Sequence, residues 1–237
     1  MKLLEANGIT KYYEGGKIIE DVSLFVNSGE SVALLGASGV GKTTLFNILS
    51  GLEKCDEGKV FLKGKDVTNI PGQVGYMQQS DLLLPFKKII NNVMIPKEIA
   101  KCDKKEARKQ AEEILEEFGL GEYKDMYPSQ LSGGMRQRVA LARTFMFEKE
   151  LVLLDEPFSA LDAITRSEMQ NWFKETIKKH NMATLFITHD IDEALLLSDR
   201  IYVMTGFVGK ITAEIEVSAE CRVQNAELKE KIKDMVK

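Results

Sequence analysis

The sequence is poor in residues that staple a fold or ligate a metal. Its three cysteines, Cys55, Cys102 and Cys221, are scattered and odd in number, and neither a CxxC nor an HxxxH spacing occurs. This argues against a disulfide framework and a thiol- or imidazole-based metal site, so free thiols in a reducing compartment are expected. A basic excess is also lacking. The formal net charge of −4 argues against nucleic acid as the default partner, although a local basic face stays possible. The opening stretch MKLLEANGITKYY has no long apolar core and no cleavage-like site, so no signal peptide is expected. No run of about 18 uncharged apolar residues is present, so no membrane-spanning helix is expected, and work at a membrane would require docking to another chain. Long linkers, internal repeats and low-complexity tracts are missing too.

What remains is a chain of 237 residues, 44% hydrophobic and 29% charged with both signs interspersed. That is a soluble globular composition, enough for one large domain or a domain with a subdomain. Val22, Leu24 and Val26 alternate with polar positions, SVALL (31–35) reads as a short buried strand, and GKVFLKG (58–64) as a strand between glycines. The pattern changes after Leu84. Asp103 with Glu106 predicts a capping box, followed by Ala107, Ala111, Ile114, Leu115 and Phe118 at helical spacing and a stop at Gly119. Helical signals continue to about Phe147. LVLLDE (151–156) and ATLFIT (183–188) read as buried strands, with a helix over 163–179 between them. Continuous apolar strands separated by helices predict a mainly parallel sheet covered on both faces, with the central helical stretch as an inserted subdomain.

GASGVGKT (36–43) fits GxxxxGK[ST] between the strand SVALL and the helical TTLFNILS. Glycines let backbone N–H groups turn towards phosphate oxygens, and the helix N-terminus adds positive potential. The predicted nucleotide cradle is Gly36, Ala37, Ser38, Gly39, Val40, Gly41, Lys42, Thr43 and Thr44. Lys42 would bridge the β- and γ-phosphates and Thr43 would offer a hydroxyl to Mg²⁺. Asp155, ending the strand LVLLD, is placed to hold Mg²⁺, and Glu156, at the carboxyl edge of the sheet, to polarise an attacking water. Together these residues predict a Mg²⁺-dependent NTPase.

A second glycine run, LSGGMRQRVALA (131–142), would in isolation be an ordinary helix start with a solvated Arg136/Arg138 face. LSGGMRQR, however, resembles the signature motif of the ATP-binding cassette ATPases, and their other motifs follow in the same order over Met1 to about Thr205. The resemblance implies an α/β fold of the P-loop NTPase (RecA-like) type: a mainly parallel sheet, an N-terminal antiparallel β subdomain and an inserted α-helical subdomain. It implies one cassette over 1–237, with a core at 1–80 and 148–218, the helical subdomain at about 81–147 and a C-terminal helix at about 224–237. It further implies that two cassettes face head to tail, as a homodimer or a paired cassette. Ser132, Gly133 and Gly134 of one would then serve the ATP held by the P-loop of the other. Gln79 aligns with the Q-loop glutamine that contacts Mg²⁺ and water, with Gln78 in a position usually apolar or aromatic. Ser159 to Asp162 align with the D-loop at the dimer interface, and His189 with the switch histidine at the γ-phosphate. Tyr13 aligns with the aromatic that stacks on adenine, with Tyr12 the neighbouring alternative. His180, at the end of a Lys-rich helix, reads as solvated. After Thr205 the Pro-Gly turn of close relatives is lacking, and no family detail carries over.

The wording around Gln79 (LLLPF), the signature and DEPFSALDAITR is similar to importers of nitrate, sulfonate, taurine, bicarbonate or thiamine-precursor substrates. That similarity implies a cytoplasmic subunit peripheral on the inner face of the membrane. It would be joined to integral permease subunits, served indirectly by a substrate-binding protein, and would need ATP and Mg²⁺ but no nucleic acid. Residues 82–86 could line the permease-docking groove or fill the subdomain core. Two other readings stay open: the ATPase of an exporter or lipoprotein-release complex, and a non-transport cassette acting on nucleic acid or the ribosome. The transported substrate is not encoded in the motifs.

Overall fold

The structure, a computed structural model, describes residues 1–217 and 225–236; Cys221 and both ends of the expected 224–237 helix lie outside them. Two sheets organise the chain. The first is antiparallel in the order β2-β1-β4-β5, built on the long hairpin of β1 (Lys2–Tyr13) and β2 (Gly16–Asn27), with β4 (Glu57–Leu62) and β5 (Lys65–Asp66). The second runs β10-β9-β3-β8-β7-β6, from β3 (Ser31–Leu35), β6 (Gly75–Met77), β7 (Leu151–Asp155), β8 (Ala183–Thr188), β9 (Arg200–Thr205) and β10 (Lys210–Glu216). Every pairing in it is parallel except β9–β10.

The apolar runs of β3, β7 and β8 are buried at every position because the central strands are covered on both faces. The two-residue side-chain period divides them between two cores. Ala33, Leu35, Val152 and Leu154 join the core under the helices, while Val32, Leu34, Leu151 and Leu153 join the core shared with the antiparallel sheet. The parallel sheet is therefore a wall between a helical layer and a β layer.

Helix α1 (Lys42–Leu49) follows β3. Between β6 and β7 stand α2 (Ile89–Val93), α3 (Ile95–Ile99), α4 (Lys104–Glu117) and α5 (Gly133–Phe145). Asp103 caps α4, accepting from the N–H groups of Lys105 and Glu106 at 3.0 and 3.1 Å. The other arm of the expected capping box is redirected, since Glu106 Oε1 accepts from Gln110 Nε2 at 3.2 Å instead. Gly119 ends the run at φ +64°, a conformation that favours glycine. Trp172 of α6 (Ala163–His180) packs its ring 4.1 Å from that of Phe118 and 5.3 Å from that of Phe145, tying the inserted helices to the sheet layer. Helix α7 (Ile191–Leu197) precedes β9. The last helix, α8 (Asn225–Val236), seats the fully buried Ile232 in the helical core and pairs Lys229 with Asp192 of α7.

Candidate active site

Helix α1 begins directly after the glycine loop, and the loop geometry explains its composition. A side chain at Gly36 would place Cβ 2.4 Å from the Met204 carbonyl oxygen, and one at Gly41, where φ is +103°, 2.6 Å from Ile19 Cγ2. Val40 is buried in the β-side core and anchors the loop from below. Lys42 is only 6% exposed and donates from Nζ to the carbonyls of Gly36 and Ala37, both at 2.8 Å. Burial pushes its ammonium pKa down, against the charges of Glu156 and Asp155.

Thr43 Oγ1 donates to Asp155 Oδ2 at 2.8 Å, joining the first turn of α1 to the end of β7. Burial pushes the Asp155 carboxyl up, and Glu156 adds to this; the Thr43 hydrogen bond and Lys42 oppose it. A buried acid beside a hydroxyl is an oxygen donor set suited to a hard divalent cation. With Gln79 on the same cavity wall, Thr43 and Asp155 could hold Mg²⁺. Among the described residues no three His, Cys, Asp or Glu side chains converge on one point, so most of that ion's remaining ligands would come from phosphate and water.

Glu156 turns the chain at φ +49°, a strained value for a non-glycine residue. The turn aims its carboxylate between two partners: Oε2 accepts from Gln79 Nε2 and Oε1 lies against His189 Nδ1, each at 3.3 Å. A carboxylate only accepts, so this contact requires the proton on Nδ1 of His189. The imidazole is otherwise open, its side chain 62% exposed.

A cavity of about 370 Å³ collects most of these groups; Tyr13, Ser38, Gly39, Gly41, Lys42, Thr43, Thr44, Gln79, Asp155 and Glu156 all line it, whereas His189 is not on its wall. Tyr13, not Tyr12, is on its wall, and Gln79, not Gln78. Tyr13 donates from its hydroxyl to Glu53 and carries the Lys11 ammonium 5.5 Å from its ring centre. Gly36, Ala37 and Val40 frame the loop without lining the cavity, whereas Ile18 and Ile187, absent from the motif reading, do line it.

Ser132, Gly133 and Gly134 are not on that wall. Ser132 is the N-cap of α5, its Oγ accepting from Met135 N at 3.2 Å. Gly134 packs against the D-loop, with Leu161 Cδ2 and the Ala160 carbonyl 3.2 and 3.3 Å from where a Cβ would sit. Ser159 Oγ donates to the Glu156 carbonyl at 3.0 Å, and Asp162 caps α6 through the N–H groups of Ile164 and Thr165. Motif reading missed Gln137. Buried within α5, it donates to the Glu156 carbonyl and accepts from Ala160 N, both at 2.9 Å, so one amide joins signature helix, catalytic turn and D-loop. It also missed Asp81, whose carboxylate accepts from Arg136 Nε at 2.9 Å, and Arg143, whose guanidinium donates to the carbonyls of Asp81 and Leu82. A larger cavity, about 450 Å³ beside Trp172 and Phe145, holds none of the motif residues.

A glycine loop between a buried parallel strand and a helix, facing a carboxylate at the end of a second parallel strand, defines a P-loop nucleotide hydrolase. The chain belongs to the ABC transporter family, whose model matches residues 19–159, and it is an ATPase. It is 42% identical over 89% of its length to the formylaminopyrimidine import ATP-binding protein ThiZ of Halalkalibacterium halodurans, covering 82% of that protein. It is 38% identical over 98% of its length to the aliphatic sulfonates import ATP-binding protein SsuB 2 of Agrobacterium fabrum, covering 87% of it. Among solved structures, a dimeric post-hydrolysis state of an ATP-binding cassette bound to ADP and Pi superposes with a TM-score of 0.83. The identity is 29%, over 91% of this chain and 99% of that one.

Proposed function

We propose that this chain is the ATP-hydrolysing subunit of an importer, forming a head-to-tail dimer with two composite ATP sites and driving a separate membrane permease. The observation that carries the dimer is the separation within one chain of the Lys42 cavity from Ser132, Gly133 and Gly134. A site needing both must draw them from two copies. The importer assignment is supported by the relatives named for import of formylaminopyrimidine and of aliphatic sulfonates. A small anion or a vitamin precursor is the corresponding cargo class. Leu82 and Phe86 are exposed while Leu83 is buried, so the 82–86 segment offers an apolar face for a permease without giving up its core anchor.

In the proposed mechanism Lys42 and the backbone of residues 38–41 bear the phosphate charge, and Tyr13 supports the base. Thr43, Asp155 and Gln79 would hold Mg²⁺, which supplies charge neutralisation on the phosphate oxygens when bound. Glu156 takes the proton of the attacking water, held in aim by Gln79 on one oxygen and His189 on the other. His189 Nε2, the free edge of the ring, would meet the transferred phosphoryl group from beside Glu156. Closure of the dimer on ATP is the differential binding that moves the permease.

The test is Glu156→Gln. Expected is loss of hydrolysis by about a hundredfold or more with ATP still bound; wild-type turnover removes Glu156 from this role. Capturing that variant with ATP from native membranes should bring down a multi-span permease and a solute-binding protein. A permease lacking any binding protein, or ribosomal or DNA-repair factors alone, rejects the importer.

A further inference from the structure

Next to the Lys42 cavity lies a second, of about 50 Å³, walled by Glu156 and Ser159, by Thr188, His189 and Glu193, and by Arg166. Glu193 and Arg166 have no part in the mechanism above. Glu193, in the first turn of α7, is 7% exposed, and its Oε2 accepts from Gln170 Nε2 of α6 at 3.2 Å. Burial pushes its carboxyl up to about 7. Asp190 pushes the same way, while the hydrogen bonds of Thr188 and Gln170 and the charge of Arg166 pull it down. Across the cavity, Arg166 donates from Nη2 to the Leu161 carbonyl at 2.9 Å, but its buried Nε has no hydrogen-bond partner. A buried N–H without an acceptor is costly, and an ionised carboxylate is the acceptor that relieves it best.

The two side chains sit on the two helices that matter. Helix α6 starts at the end of the D-loop, capped by Asp162, and α7 starts just after His189, capped by Asp190. The charged and titratable groups facing Glu193 are Arg166 from α6, His189 and Asp190 from the loop after β8, and Glu156 from the turn after β7. Helix α8 presents Lys229 to Asp192, the neighbour of Glu193.

We propose that Glu193 is a positioning residue for hydrolysis: its ionised carboxylate draws Arg166 across the small cavity and fastens the His189 loop to the first turn of α6. The neutral form keeps its Gln170 and Thr188 neighbours but does not draw Arg166, and leaves that loop loose. This rests on the reading of Glu156 and His189 as the hydrolytic pair.

The test is steady-state ATP hydrolysis from about pH 5.5 to 9. Expected is a wild-type kcat that rises through an inflexion near pH 7. Glu193→Gln, which copies the neutral form in size and keeps the Gln170 neighbourhood, should lose the inflexion and fall about threefold or more below wild type at high pH, with KM for ATP nearly unchanged. Arg166→Met should likewise lose the kcat inflexion, because the partner of the ionised form is gone, while the ionisation of Glu193 itself moves to higher pH. Retention of the same inflexion in Glu193→Gln overturns the proposal and assigns it to another group. Carboxyl ¹³C NMR titration, with the Glu193 signal assigned by its absence in Glu193→Gln, reads the ionisation without catalysis; a midpoint near the ordinary glutamate value overturns the proposal too. A fault in the hydrolytic pair is seen separately, as retained turnover in Glu156→Gln.

Discussion

Lys42, Asp155 and Glu193 are all buried ionisable groups, and each is tolerated for a different reason. Lys42 sits on two carbonyls, Asp155 on the Thr43 hydroxyl, and Glu193 on the Gln170 amide and the Thr188 hydroxyl with its carboxyl pushed up to about 7. Removing the Lys42 ammonium in Lys42→Ala is expected to weaken ATP binding by about tenfold or more, read by equilibrium titration with a fluorescent nucleotide; unchanged affinity would remove Lys42 from the phosphate site. Glu193 makes a prediction about stability. Its carboxyl is raised from 4.5 to about 7, so between those pH values the folded chain keeps a proton that the unfolded chain has lost. Its contribution to stability therefore falls as pH rises through that window, by up to about 1.4 kcal/mol per pH unit. Glu193→Gln should show a Tm advantage over wild type that is small near pH 4.5 and grows towards pH 7. A constant difference would mean that Glu193 titrates normally.

Among the elements, the joints matter more than the helices. Gln137 is itself buried and joins α5 to both the Glu156 turn and Ala160, so Gln137→Ala removes both of these part-buried hydrogen bonds at once. It is expected to cost about 1–3 kcal/mol of stability and to lower kcat more than it raises KM, as chemical denaturation and kinetics will show. The Asp81–Arg136 pair is a third exposed on each side, so it orients the Gln79 segment rather than stabilising it. Ile232 is the apolar anchor of α8, and Ile232→Ala should cost about 2–4 kcal/mol in the unfolding transition. These joints were not readable in the sequence. Gln137 looks like any polar residue of a basic helix, because its partners lie about twenty residues away and meet it only after β7 packs beside α5. The strands were readable, since burial on both faces leaves a continuous apolar run. The break between α2 and α3 was not, because both share one helical composition and no capping side chain marks either start.

For the whole molecule the decisive question is whether one chain makes a site. Glu156→Gln with ATP and Mg²⁺ is expected to sediment as a dimer. Adding Ser132→Arg should leave it monomeric at the same concentration while the Lys42 cavity still binds ATP. A dimer that persists with Ser132→Arg would place the interface elsewhere.

The sequence by itself determined the P-loop, the acidic pair at the end of β7 and the parallel order of the core. Those features are local: consecutive residues must satisfy one turn, one helix start or one two-faced strand. Tertiary structure alone decided that Ile18 and Ile187 complete the cavity that Tyr13 and Gln79 line, and that Glu156 lies between Gln79 and His189. It alone placed Glu193 opposite Arg166. In each case side chains remote in sequence meet only after the layers pack, and neither periodicity nor spacing carries the rotation at which a side chain leaves its helix or turn.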